Sequence, residues 1–332
     1  MCPAMRDLFN DDIECRTRAL LDRFTPDEPG VTVEMNDAEF QIWIEVSVEE
    51  RAMARAAERG EIHVCRRLVE HHSVRADAHD SMALHYAATN GHVAVCRMLM
   101  VEYNAKADAD NSRALCYGAA TRERTPGCLA VCRLLMNPAI AGEEHYAKAD
   151  ALDSNVLLVA GEEACKLCMD PAVAGEQHYA KADALDSEAL RLAVENGEIS
   201  LCKLLMDPAV AGEQHYAKAD ALDSEALRLV AQLAAENGDL SVCKLLMDPA
   251  VAGQQHYAEA DALDSEALRL AAREGHADVC KLLMDPAVAG QQNYAKADAL
   301  DSEALRVAAR EGHADVCKLL MDRGAGDGRV CP

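Results

Sequence analysis

A stretch of 22 residues, DSEALRLAAREGHADVCKLLMD at 264–285, returns almost unchanged at 301–322, 37 residues later. Weaker copies of this stretch run back to about residue 50. One cysteine in each copy aligns eight repeats, numbered here 1 to 8 in the order Cys65, Cys96, Cys132, Cys165, Cys202, Cys243, Cys280 and Cys317. A repeat of this length is a small structural unit that cannot bury its apolar face alone. The sequence therefore predicts a solenoid of eight stacked units.

Each repeat has the pattern of two short helices. In repeat 5 we expect Ser187 to cap the first helix and Asn196-Gly197 to end it, with the glycine in a left-handed conformation. The second helix should end at Asp207-Pro208, because the residue before a proline avoids helical angles. The acids Asp183, Asp186 and Glu188 are interpreted as helix caps and partners of the helix dipole rather than as calcium ligands. The residues predicted to face the core are Ala189, Leu190, Ala193, Leu201, Cys202, Leu204 and Leu205.

This pattern resembles the ankyrin repeat, which reads D-x-x-G-x-T-P-L-H-x-A-A-x-x-G-H and then V-V-x-L-L-L. Repeat 2, SMALHYAATNGHVAVCRMLM at 81–100, matches it at Leu84, His85, Ala87, Ala88, Gly91 and His92. The resemblance covers roughly residues 49–321. It implies an all-α fold, an ankyrin-like helix-pair solenoid, with a concave surface formed by the first helices and by the fingers that connect the repeats.

The later repeats depart from the family pattern. In repeat 7 the T-P-L-H tetrad is replaced by Glu266, Ala267, Leu268 and Arg269, and the glycine before it by Asp264. The Thr–His hydrogen bonding of the family is therefore missing. The connecting segment is about four residues longer than a 33-residue ankyrin repeat allows, so the fingers are expected to be longer or differently shaped.

Three repeats differ in length. In repeat 4 Leu157 stands 8 residues before Cys165, and in repeat 6 Leu227 stands 16 residues before Cys243, whereas this spacing is 12 in regular repeats. Four residues are close to one helical turn, so the apolar faces should nearly keep their phase. Repeat 3 instead gains five residues in TRERTPG at 121–127. This insertion contains Arg122 and Arg124, and we expect a protruding, locally basic loop. It is either a recognition loop or a tolerated surface insertion.

Residues 1–48 differ from the repeats, since they contain all three phenylalanines and the only tryptophan, Trp43. The spacing predicts a helix within residues 6–24, and alternating apolar residues up to Val48 predict a β-hairpin. Ser47 and Glu50 should form a capping box at the start of repeat 1. We interpret 1–48 as a small N-terminal capping segment, with a distinct functional module as the alternative, 49–322 as the repeat array, and 323–332 as a flexible tail.

The charge of the chain limits its partners. Against 33 Lys and Arg stand 57 Asp and Glu, a formal net charge of −24. Such a surface repels nucleic-acid phosphates and anionic membranes. No apolar run is long enough for a transmembrane helix, and the 14 cysteines lack an accompanying secretion signal. We therefore expect reduced thiols in the cytoplasm, with the nucleus as a second possible compartment.

The cysteine column has the pattern of a buried core. Each cysteine lies beside leucines in an apolar run, and stacked helix pairs are too far apart for the column to form disulfides. Cys165-x-x-Cys168 is half of a metal motif without a second half at ligand spacing. No phosphate-binding loop, nucleophile elbow or His-Glu metal motif occurs. We predict no metal, no cofactor and no enzymatic activity.

The candidate binding residues lie between the helix pairs. His-Tyr pairs recur in the fingers, with Asn293 replacing the last histidine. They form either a recognition stripe, since tyrosine offers much contact area at little entropy cost, or an internal stack of each tyrosine on the next finger. With the two loop arginines, the predicted partner-binding residues are His145, Tyr146, His178, Tyr179, His215, Tyr216, His256, Tyr257, Tyr294, Arg122 and Arg124.

These observations predict a monomeric, non-enzymatic scaffold or adaptor. Its partner should be a protein, and the acidic charge favours a basic segment of that partner. One alternative is a regulatory or effector protein that recruits an enzyme through residues 1–48. Another is an array of duplicated repeats without a fixed partner.

Overall fold

A computed structural model of the chain describes residues 12–21, 47–120, 127–237, 240–252 and 256–325. All regular elements in this part of the chain are helices, as the all-α prediction requires. The chain divides into two compact units, Met1–Ala180 and Lys181–Pro332. The predicted hairpin before residue 47, the loop arginines Arg122 and Arg124, and most of the predicted tail lie outside the described residues.

The first unit contains a helix over residues 12–21 and repeats 1 to 4. The first helices of these repeats are Val48–Glu58, Ala78–Thr89, Ala109–Ala120 and, in repeat 4, the short pair Ala151–Ser154 and Val156–Val159. The second helices are Ile62–His72, Val93–Val101, Cys128–Leu135 and Glu162–Met169. Each first helix of repeats 1 to 3 packs on the first helix of the next repeat.

The second unit contains repeats 5 to 8 in the same arrangement. The first helices are Ala184–Glu195, Ala221–Asn237, Ala262–Glu274 and Ala299–Glu311. The second helices are Ile199–Met206, Leu240–Met247, Ala277–Leu283 and Ala314–Asp322. First helices of successive repeats pack along this unit too. No helix among the described residues is both long and apolar enough to cross a membrane.

Alanine, leucine and cysteine form the core of the repeats. All eight aligned cysteines are buried, seven of them completely. The seven residues of repeat 5 predicted to face the core are also buried. Only 4% of the chain is aromatic, and small side chains on facing helices allow the close packing that a core of this composition needs. The predicted core, including the buried cysteine column, is confirmed.

The long connecting segments begin with a single turn of helix. These turns are Pro138–Ala141, Pro171–Ala174, Pro208–Ala211 and Pro286–Ala289. Asp207, which ends the second helix of repeat 5 as predicted, also caps the turn that follows, because its Oδ1 accepts a hydrogen bond from the Ala209 N–H at 2.9 Å. Proline fits this first helical position since it needs no N–H partner. The extra residues of the later repeats therefore fold as a capped helical turn.

The first helices of the irregular repeats differ in length by about one whole turn, which preserves their packing. Ala221–Asn237 in repeat 6 has 17 residues and Ala262–Glu274 in repeat 7 has 13, a difference of four, or about one turn. In repeat 4 the shortened first helix is split, yet Leu157 and Cys165 are both buried. The expectation that the apolar faces keep their phase is confirmed.

The predicted cap at Ser187 is wrong. Leu185, Asp186 and Ser187 form a left-handed turn with φ of 50°, 53° and 64°, and the Ser187 side chain does not cap the helix. Its Oγ instead accepts a hydrogen bond from the Lys218 N–H, 2.9 Å away in the next finger. The same bond from the following finger recurs at Ser81, Ser112, Ser224 and Ser265 at 2.8–3.0 Å. The recurring serine of the repeat is thus a buried link between neighbouring repeats.

The start of the array is organised as expected where it is described. Ser47 Oγ accepts from the Glu50 N–H at 3.2 Å and a Glu50 carboxylate oxygen accepts from the Ser47 N–H at 3.0 Å, which confirms the capping box. The preceding helix over residues 12–21 buries Thr17 and Leu20. Glu14 on this helix forms an ion pair of 3.0 Å with Arg67 of repeat 1.

Candidate functional site

The histidines of the fingers pair with aspartates of the preceding repeat. Nδ1 of His178 lies 3.2 Å from Asp150 Oδ1, and Nδ1 of His215 lies 3.2 Å from Asp183 Oδ1. His256 pairs with Asp220 at the same distance. A carboxylate can only accept, so Nδ1 carries the proton in each pair. Nδ1 of His145 lies 3.4 Å from Asp108 Oδ1 and makes no hydrogen bond.

These pairs correct the interpretation of the acids as helix caps. Asp183 is the N-cap residue before the helix Ala184–Glu195, but its side chain does not cap that helix, and its carboxylate binds His215. Glu188 binds Arg191 through two hydrogen bonds of 2.6 and 2.7 Å, and this pairing holds the pKa of Glu188 below its usual value. The sequence could not assign Asp183 to His215, because this partner lies about one repeat away.

The tyrosines of the fingers contact the histidine of the next finger. The rings of Tyr146 and His178 meet edge to face with centroids 5.9 Å apart, and those of Tyr216 and His256 at 6.0 Å. Asn293, which replaces the last histidine, donates a hydrogen bond to Tyr257 Oη at 2.8 Å. The predicted His-Tyr ladder therefore joins neighbouring fingers within each unit. All these side chains remain partly exposed, and their binding of a partner stays a prediction.

The glutamate and arginine that stand at the Thr and His positions of the family tetrad form ion pairs between repeats. Arg228 of repeat 6 contacts Glu266 of repeat 7 at 2.6 Å, and Arg269 of repeat 7 contacts Glu303 of repeat 8 at 2.7 Å. In Arg228 and Arg269, Nη2 also lies near the carbonyl of the leucine six residues earlier, at 3.3 and 3.4 Å. The Glu-Ala-Leu-Arg tetrad thus connects successive repeats.

Glycine and histidine make a further contact between repeats. His92 Nε2 donates a hydrogen bond of 2.8 Å to the Glu58 carbonyl of the preceding repeat, and its ring covers Gly60, whose φ is 72°. His313 makes the same bond to the Arg273 carbonyl at 2.9 Å and covers Gly275. Only a residue without Cβ permits so close an approach, since an added Cβ would lie 2.6–2.7 Å from the imidazole.

A family model of ankyrin repeats matches three segments of the chain, residues 33–112, 53–149 and 231–328. The chain belongs to the ankyrin repeat family. Ankyrin repeats are generally protein–protein interaction modules. A search of curated proteins found no match to the chain.

One exposed leucine in each of the later ankyrin repeats was not among the predicted site residues. Leu185, Leu222, Leu263 and Leu300 expose 53%, 53%, 47% and 46% of their surface. Each begins the left-handed turn that kinks the start of its first helix, with φ between 47° and 50°. The available signal is the recurring Ala-Leu-Asp-Ser motif, in which aspartate stands where the family has glycine. Helical periodicity alone predicts that this leucine is buried. Periodicity does not account for the left-handed turn, which exposes the side chain.

A second cluster that the sequence did not reveal lies on repeats 2 and 3. Arg113 donates two hydrogen bonds to Tyr117 Oη, at 2.7 and 3.0 Å, and one to Asp110 at 2.8 Å. The ring of His85 meets Tyr117 edge to face at 6.2 Å. Burial, and then the charge of Arg113, lower the pKa of His85 to about 4. His85 is therefore neutral at pH 7 and completes an apolar contact with Tyr117.

The cysteines have the environment of core residues. Burial raises the pKa of Cys65, Cys96, Cys132, Cys202 and Cys280 to about 12. Cys165 and Cys168 both lie within the helix Glu162–Met169 and are completely buried. In the described part of the chain, no group of three or more His, Cys, Asp or Glu side chains is arranged to hold a metal ion.

Proposed function

We propose that this ankyrin-repeat protein is a non-enzymatic scaffold or adaptor that binds a protein partner through its first helices and fingers. The observation that carries the proposal is the recurrence of one partly exposed His-Tyr set in finger after finger. Repetition of the same groups along an edge provides a binding surface that is longer than any single finger. Contacts between neighbouring fingers hold these groups in place, which lowers the entropy lost on binding.

The charge of the chain favours a basic segment of the partner. Acidic residues outnumber basic ones by 24, and many arginines are engaged with glutamates of their own or the next repeat. A basic segment would be attracted to such a surface and an acidic segment or a nucleic acid repelled. Binding should therefore weaken as salt is added.

The experiment is affinity capture from a cell extract by the full chain, with partners identified by mass spectrometry. Tyr146→Ala and Tyr216→Ala should each reduce capture of a specific protein. The matched control is His256→Asn. The last finger already has asparagine at this position, Asn293, which contacts the tyrosine of the preceding finger, so this variant should preserve the contact between fingers. Equal capture by wild-type and both tyrosine variants would contradict a role for the fingers, and capture unaffected by salt would contradict the basic partner.

We propose that residues 1–48 cap the array. The ion pair between Glu14 and Arg67, together with burial of Thr17 and Leu20, supports this role. Deletion of 1–48 should then lower the stability of repeat 1 and leave partner capture intact. Loss of capture by a deletion variant that still folds would instead favour recruitment through this segment.

The proposed scaffold acts as a monomer in the cytoplasm or nucleus. Light scattering of the purified chain should give the mass of a single copy, 35.8 kDa. A mass that doubles with concentration would contradict the monomer, and fractionation of cells would test the compartment.

A further inference from the structure

The four leucines Leu185, Leu222, Leu263 and Leu300 occupy equivalent positions in repeats 5 to 8, and together they are called the leucine row. Each exposes about half of its surface although leucine is among the residues that proteins bury most often. Each also has a positive φ, which L-residues with a branched side chain rarely adopt. The row thus combines exposed apolar surface with an unfavourable backbone conformation.

Side-chain hydrogen bonds hold the backbone of the turn at three of the four leucines. The carbonyl of Leu300 accepts a hydrogen bond from Arg306 at 3.2 Å, as those of Leu222 and Leu263 do from their own arginines. Two residues after Leu263, the buried Ser265 Oγ accepts from the Lys296 N–H at 3.0 Å. These bonds fix the backbone of the turn on both sides of the exposed side chain. A ligand would therefore meet apolar groups whose positions are already set.

Acidic side chains accompany the row. Asp186, Asp264 and Asp301 directly follow three of the leucines and are exposed. Residues 181–332 contain 15 Lys and Arg against 27 Asp and Glu, a formal net charge of −12. The surface at the leucine row therefore presents apolar groups next to negative charges, and its complement is an apolar side chain next to a positive one.

The spacing of the row favours a helical ligand. Packed helices, and with them equivalent residues of neighbouring repeats, lie about 8–10 Å apart. In an α-helix, residues seven apart are separated by about 10.5 Å along the axis and lie on nearly the same face. In an extended strand a similar distance takes about three residues, which point to opposite faces. An α-helix can therefore present an apolar residue to each leucine in turn, whereas a β-strand cannot.

We infer that the leucine row binds a basic amphipathic helix of a partner protein, with apolar residues at every seventh position and Lys or Arg beside them. This inference rests on the proposed function and adds the surface and the chemistry of the ligand. Its apolar side chains would cover the four leucines, and its basic side chains would lie against the aspartates that follow them.

The test uses a fluorescent peptide of about 22 residues, roughly three spacings of the row. It has leucine at every seventh position, lysine beside each leucine and alanine or glutamine elsewhere. Binding to the full chain is measured by fluorescence anisotropy. A scrambled peptide of the same composition keeps the charge without the apolar face, and a peptide with glutamate for lysine reverses the charge. We expect saturable binding of the first peptide only.

The decisive variant replaces all four leucines of the row by asparagine. Asparagine accepts positive φ better than leucine, so this variant should fold at least as well, which circular dichroism and thermal unfolding will check. Loss of four apolar contacts should weaken binding by about tenfold or more. The control Met321→Gln changes another exposed apolar residue, which is 40% exposed but lies on the second helix of repeat 8. This control variant should bind the peptide as the wild type does.

Three results would overturn the inference: no saturable binding of the designed peptide, equal binding of the scrambled peptide, or an unchanged dissociation constant in the asparagine variant. The proposed function is tested separately by capture of a partner. If capture depends on Tyr216 while the peptide does not bind, the scaffold function stands and the leucine row is not its helix-binding surface.

Discussion

Gly275 and Gly312 have the same backbone conformation, but alanine at the two positions should lower the stability of the protein by different amounts. Their φ values are 83° and 85°, so the backbone penalty for alanine, about 1–2 kcal/mol, is shared. A Cβ on Gly312 would have no neighbour within 4 Å, whereas a Cβ on Gly275 would lie 2.6 Å from His313 Nδ1. The two substitutions therefore differ mainly in whether the next repeat must move.

The size of that difference follows from what His313 would lose. Its ring must shift to admit the methyl group, which breaks the 2.9 Å bond to the Arg273 carbonyl. Loss of the hydrogen bond costs about 0.5–1.5 kcal/mol, and a displaced side-chain torsion costs about 0.5–1.5 kcal/mol. Gly275→Ala should therefore destabilise repeat 8 by about 1–3 kcal/mol more than Gly312→Ala does.

Hydrogen exchange of the backbone amides in the helix Ala314–Asp322 measures this difference. These amides report the opening of repeat 8, which both substitutions affect, and the method does not require the whole array to unfold in one step. In a His313→Ala background the obstacle is gone, so the cost of Gly275→Ala should fall to that of Gly312→Ala. Equal costs of the two alanines in the wild-type background would refute the proposed contact.

Three further predictions concern the thiols, the serine links and the capped turns. At pH 8 the exposed Cys15 should react quickly with a thiol reagent and the eight aligned cysteines slowly, because burial removes access and raises the thiol pKa in five of them to about 12. Alanine at Ser187, Ser224 or Ser265 should in each case lower the free energy of unfolding in denaturant by about 1–3 kcal/mol, since each substitution leaves a backbone N–H without its partner. Asp285→Ala should cost about 1 kcal/mol and Asp285→Asn much less, because asparagine also caps.

Each of these predictions has an outcome that contradicts it. Rapid labelling of all eight aligned cysteines in the folded protein would show that the column is accessible. Unfolding midpoints of the three serine variants that equal that of the wild type would mean that the links between repeats contribute nothing to stability. If Asp285→Ala and Asp285→Asn unfold alike, the side-chain cap is not what stabilises the helical turn.

The repeat, the helix pairs and the core could be predicted from the sequence because they depend on local properties of the chain. Apolar residues at helical spacing place Leu190 and Cys202 on the buried faces of their helices. Gly197 ends a helix with φ of 69°, and Asp207-Pro208 stops the next one, for reasons that lie within a few neighbouring residues. The four-residue changes in repeats 4 and 6 could also be recognised as about one helical turn each, which keeps the apolar faces in phase.

The roles of individual polar and exposed residues were decided by the tertiary structure. Ser187 has the local signature of a helix cap, but its partner is the Lys218 N–H in the next finger, 31 residues away. Asp183 likewise binds a histidine 32 residues on rather than its own helix. Leu185 belongs by composition to the core, yet the left-handed turn exposes about half of it. Sequence spacing determines which face of a helix a residue occupies, but a backbone turn and a neighbour one repeat away determine what that residue contacts.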